Sequence, residues 1–162
     1  MSNIERANGF HPYEEPDRES PYTAGGTVYP GDLVRMNSSG LIVAAAADQT
    51  ANIGVAANYA TTGQTVNVWD EPEQKFTVQA GGSTDLEQSA CGLNYQIIAT
   101  IGDTTYRQSR MELDSTSGAT TPATLPLRML AVQPVINNSP GVHAKVVVSI
   151  NNHQLRPGTV GV

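Results

Sequence analysis

The side chains able to do chemistry are few and widely spaced. Cys91, the single cysteine, lies in Ser-Ala-Cys-Gly. A nucleophilic thiol needs a base held beside it, and no hydrolase signature surrounds this one, so it reads as a small core residue. One cysteine also excludes an internal disulfide or a multi-thiolate metal site. The three histidines, His11, His143 and His153, show no His-x-x-x-His or His/Cys spacing of the usual zinc kind. His11 belongs to the N-terminal segment, and the other two flank the last apolar run as exposed strand-end residues. No metal ligand and no cofactor are expected.

Carboxylates offer acid/base chemistry, and Asp70, Glu71 and Glu73 fall within four residues. Pro72 between them marks a solvated hairpin tip instead. Gly25-Gly26 and Gly81-Gly82 lack the following helix that a phosphate-cradling loop requires. His143, His153, Glu112 and Asp114 are the candidates for a dispersed catalytic site, but no recognisable constellation joins them. The chain is not expected to be an enzyme.

Recognition chemistry has more to draw on. Trp69 ends an alternating run and suits either a partner anchor or a core residue at a barrel end. A carbohydrate- or receptor-binding module would use Trp69, Tyr59 and Tyr106. The formal charge is −6 and there are only two lysines, Lys75 and Lys145, so no basic stripe is present to neutralise phosphates. Nucleic acid is therefore not an expected partner. Nor is a membrane, because no apolar window approaches the length of a span and the first residues lack a signal-peptide pattern.

The elements that must position these residues are strands. Residues 1–22 carry Glu5, Glu14, Glu15, Asp17 and Glu19 against Arg6 and Arg18, with prolines at 12, 16 and 21 and no apolar periodicity. They form an extended N-terminal arm outside the core. Phe10, Tyr13 and Tyr22, spaced among the prolines, could anchor it on a neighbouring surface, and the same text also suits a frayed terminus. Deleting the arm is expected to leave the melting temperature nearly unchanged.

Residues 23–162 change to short apolar runs between turn signals, the pattern of a single small β-barrel or sandwich of about eight to ten strands. Pro30-Gly31-Asp32 marks a turn. Thr65 to Trp69 alternates with period two, and residues 66–79 read as an antiparallel strand pair. Asp85 to Cys91 is the one helical turn, with Ser83 as its N-cap. Asp114 to Pro122 is a polar loop. Inward positions are assigned to Val34, Leu41, Val43, Val55, Val66, Val68, Val78, Ile97, Leu113, Leu127, Leu130, Val146 and Val148. The fold class is all-β.

Two stretches carry a family resemblance. One runs from Thr27-Val-Tyr-Pro-Gly-Asp-Leu-Val to Ile53-Gly-Val-Ala-Ala; the other runs from Gly92-Leu-Asn-Tyr through Ser109-Arg-Met-Glu-Leu-Asp and Leu125-Pro-Leu-Arg-Met-Leu-Ala-Val to Ala144-Lys-Val-Val-Val-Ser-Ile-Asn-Asn-His. Together they resemble the capsid decoration, or cement, proteins of tailed bacteriophages. The resemblance implies a virion protein on the capsid exterior, made in the host cytoplasm. It would bind the major capsid protein, bridge neighbouring subunits and associate with itself, commonly as a homotrimer. The alternative is a phage head-fibre or carbohydrate/receptor-binding module.

Overall fold

The computed structural model describes residues 3–120, 124–158 and 161. Among them are twelve strands and two 3-10 turns, with no α-helix. In the first half come β1 (His11–Pro12), β2 (Glu19–Thr23), β3 (Leu33–Met36), β4 (Ile42–Ala44), β5 (Gly54–Ala56) and β6 (Thr65–Trp69). The second half supplies β7 (Phe76–Gly81), β8 (Asn94–Tyr95), β9 (Ile97–Ile98), β10 (Glu112–Asp114), β11 (Leu127–Val132) and β12 (Lys145–Ile150).

β2 to β6 form a five-stranded sheet in the order β2-β6-β5-β3-β4. The other strands form a sheet in the order β8-β11-β12-β7-β10-β9, with β1 also paired to β7. Its two end strands, β8 and β9, are one run of chain interrupted only at Gln96, so this sheet is nearly closed into a barrel. Gln96 is held at that elbow by its N–H, which donates to Ser117 Oγ at 2.9 Å, and by its carbonyl, which accepts from Asp114 N–H at 3.0 Å.

Strand alternation gives the five-stranded sheet two covered faces. Leu33 and Val55 join Phe10, Phe76, Leu113, Leu127, Met129 and Val148 in the larger core. Their neighbours Val34 and Ala56 point the other way, into a smaller core with Val28, Ile42, Ile53, Val66 and Val68. The expected turn is present: Gly31 takes φ +94, and Asp32 N–H donates to the Tyr29 carbonyl at 3.0 Å.

Residues 66–79 are not a strand pair. β6 bonds to β2 and β5, whereas β7 bonds to β12, β10 and β1. The Asp70 to Lys75 link is thus a crossing between sheets. Its Asp70 is buried, where a solvated tip was expected. Three inward assignments are also out of phase, because Ile42 and Met129 are buried while Leu41, Val43 and Leu130 are half-buried. A one-residue slip exchanges faces in a strand, and β11 has an irregularity between Met129 and Ala131 that resets the alternation. The helical turn is shorter than expected: a 3-10 turn at Gln88–Ala90 preceded by Glu87, not capped by Ser83. Of the Asp114 to Pro122 loop, Thr121 and Pro122 lie outside the described residues.

The N-terminal segment is extended but lies on its own chain. β1 pairs with β7, and β2 pairs with β6 across five residues. Gly9 makes the entry possible: it takes φ +77, and a Cβ there would meet Ser109 Cβ at 2.5 Å. Beyond it Phe10 N–H donates to the Gly31 carbonyl at 2.8 Å, and the Phe10 ring is fully buried in the larger core. The prolines and charges conceal a strand that bonds through alternate backbone groups. The boundary drawn at residue 22 does not separate arm from core.

Candidate functional site

Glu5, Glu112 and His143 converge where the N-terminal segment crosses the barrel. One ligand atom from each lies within 4.8 Å of the others. Glu112 opens β10 and is 8% exposed. Its carboxylate occupies space left by Gly81 on β7, where a Cβ would meet Glu112 Oε2 at 2.8 Å. His143 is held at φ +57, a left-handed backbone uncommon for a non-glycine residue. Its Nε2 lies 3.9 Å from Glu5 Oε2. Among the described residues, Glu112 Oε2 and His143 Nδ1 are buried without a hydrogen-bond partner. Burial pushes the Glu112 carboxyl above its ordinary value and Glu5 adds to that, while His143 opposes it.

Gln79 on β7 aligns the two outer members. Its Nε2 donates to the Ile4 carbonyl at 2.7 Å and to the His143 carbonyl at 3.1 Å. Its Oε1 accepts from Arg6 N–H at 2.5 Å. One buried amide therefore fixes the backbone on both sides of Glu5 and at His143. Beside it lies a cleft of about 530 Å³ lined by Ile4, Gln79, Ile136 and His143.

A second junction sits at the sheet crossing. Asp70 Oδ1 accepts from Arg18 Nε at 2.8 Å and Oδ2 accepts from the Tyr22 hydroxyl at 2.5 Å. Burial would raise the Asp70 carboxyl, but these bonds and the Arg18 charge outweigh it and hold it below the ordinary value. Tyr22 is pushed up to about 12 by burial and by its bond to Asp70.

Of the expected anchors, Phe10 is core, Tyr22 is engaged with Asp70, and Tyr13 is 39% exposed. Trp69 is half-buried against the larger core. Tyr59 is half-buried between Tyr29, at 5.4 Å between ring centroids, and the Arg107 guanidinium, at 4.6 Å. Tyr106 is 81% exposed.

The dispersed catalytic set does not assemble as a unit. Glu112 and His143 meet, whereas Asp114 instead accepts from Thr116 N–H at 3.0 Å and caps a 3-10 turn. His153 is fully buried, not strand-end and exposed. It accepts from Leu155 N–H through Nδ1 at 3.1 Å, and burial followed by the Arg156 charge pushes it down to about 4. Cys91 is a half-buried free thiol packed on the larger core. Spacing could not reveal the Glu5 cluster, whose members stand far apart in the chain. The one signal was Gly81, which reads in the sequence only as half of a Gly-Gly pair until the carboxylate beside it is seen.

Fold and site together define an all-β domain: a nearly closed barrel-like sheet, a second sheet, and a polar cluster under the N-terminal segment. No family model matches the chain, and no match is found among curated proteins. Among the described residues, no helix is long and apolar enough to cross a membrane.

Proposed function

We propose that this chain is a capsid decoration protein that binds the outer surface of a phage head, bridges neighbouring copies of the major capsid protein and associates with itself as a trimer. The observation that carries this reading is the set of large apolar side chains left in solvent outside the strands. Ile136 is 91% exposed, Tyr106 81%, Ile101 79% and Ile4 72%. Aromatic side chains such as that of Tyr106 are enriched among the anchors of protein interfaces. An acidic, lysine-poor surface suits a shell exterior better than packaged DNA. Many copies on one lattice would turn modest contacts into durable attachment.

The anchors in this reading are the loop residues and Tyr13, because Phe10 and Tyr22 are occupied within the chain. The test is co-sedimentation with mature heads stripped of decoration, comparing the intact chain with a Tyr106→Ser/Ile136→Ser variant. Saturable binding that the variant weakens by tenfold or more, on the order expected for central anchors, supports the reading. Absence of binding by the intact chain overturns it and turns attention to a ligand-binding module.

A further inference from the structure

We propose that Glu5, Glu112 and His143 form a binding site for one divalent transition-metal ion of the zinc class, and that the ion pins the N-terminal segment to the barrel. This does not rest on the capsid reading.

The donor set is one imidazole and two carboxylates, which suits zinc-class ions and leaves room for water at the exposed Glu5 side. Ligand atoms about 2.0–2.2 Å from one ion stand at most about 4.4 Å apart. The observed spread, within 4.8 Å, needs only a small side-chain adjustment, and Glu5 is exposed enough to make it. Two features besides proximity point to a ligand. Glu112 is more than nine-tenths buried, yet its Oε2 accepts no hydrogen bond. Buried polar atoms ordinarily find partners, and a cation would supply one to Glu112. The surroundings are also those of a shaped site: Gly81 opens the space beside Glu112, and the Gln79 amide fixes the backbone at Ile4 and Arg6, on either side of Glu5, and at His143. Gln79 is thus a positioning residue, acting as outer-shell partners of metal ligands do.

Untagged full-length protein, freed of metal with a chelator and dialysed, would be titrated with Zn²⁺ by calorimetry. One ion per chain is expected. Glu112→Gln and Glu5→Gln should each weaken binding by about tenfold or more, the scale of losing a ligand or its support. His143→Asn should do the same while keeping a residue that tolerates the left-handed backbone. Zn²⁺ should also slow tryptic cleavage after the exposed Arg6 in the intact chain but not in Glu5→Gln. That substitution lies on an exposed side chain, so its fold is preserved even if a buried variant fails. Absence of Zn²⁺ binding, or equal affinity in the intact chain and Glu5→Gln with no change in cleavage, would overturn the proposal.

Discussion

Asp70 and Glu112 are both buried, 1% and 8% exposed, and both lie where the N-terminal segment meets the rest of the chain. Asp70 has its compensation built in, from an arginine, a tyrosine hydroxyl and a lowered carboxyl value. Glu112 faces another carboxylate and a histidine, keeps one oxygen unpartnered, and has a raised value. The segment is therefore fastened at one point by groups the chain supplies itself. At the other it presents a buried charge whose compensation is incomplete.

The largest effect that could break this comparison is removal of the segment. Phe10→Ala alone should cost about 3–5 kcal/mol, as expected for truncating a buried aromatic. Deleting residues 1–22 removes that ring, two strands and the Asp70 partners together. The loss then rivals the whole stability of a domain, about 5–15 kcal/mol. The deletion should show no cooperative thermal transition; a melting temperature near that of the intact chain would mean the body stands alone.

Acid tests the Asp70 side next. Unfolded His153 takes a proton near pH 6.5, but in the fold it does so only near pH 4. Between these values the unfolded chain binds more protons, so stability falls as pH drops through that window, by about 3 kcal/mol. Asp70, held below 3.8, adds a further loss in stronger acid. Urea unfolding at pH 7 and pH 4 measures the first part, and His153→Gln should flatten it.

The two carboxylates themselves should respond unequally. Asp70→Ala strands the Tyr22 hydroxyl and should cost about 2 kcal/mol. Glu112→Gln, in metal-free buffer at pH 7, removes an uncompensated charge and should change stability by no more than about 1 kcal/mol, toward greater stability. Equal losses in urea unfolding would show that Glu112 is as well compensated as Asp70.

The all-β class and the strands near Thr65 to Trp69 were legible because alternation and turn residues are local signals. What was lost is what depends on pairing across distance. The Asp70 to Lys75 link looks like a hairpin tip in sequence, since Pro72 and its charges say turn without saying which sheet comes next. Phe10 looked like an external anchor because its burial depends on Gly9 and Gly31, which the chain brings together only in the fold. In the candidate site, Glu112 and His143 were visible as residue types. Their meeting with Glu5 was not, because the spacing rules for metal sites recognise donors on one local element.

The elbow at Gln96 has a consequence for how copies of this molecule can be joined. Where β8 turns directly into β9, the barrel-like sheet ends on itself and offers little open backbone for a neighbour's strand to add to. Exposed strand edges are the usual template for uncontrolled polymerisation. The barrel-like sheet is therefore protected from fibre growth by strand addition, and the end strands that the molecule keeps outside it are β2 and β4 of the five-stranded sheet.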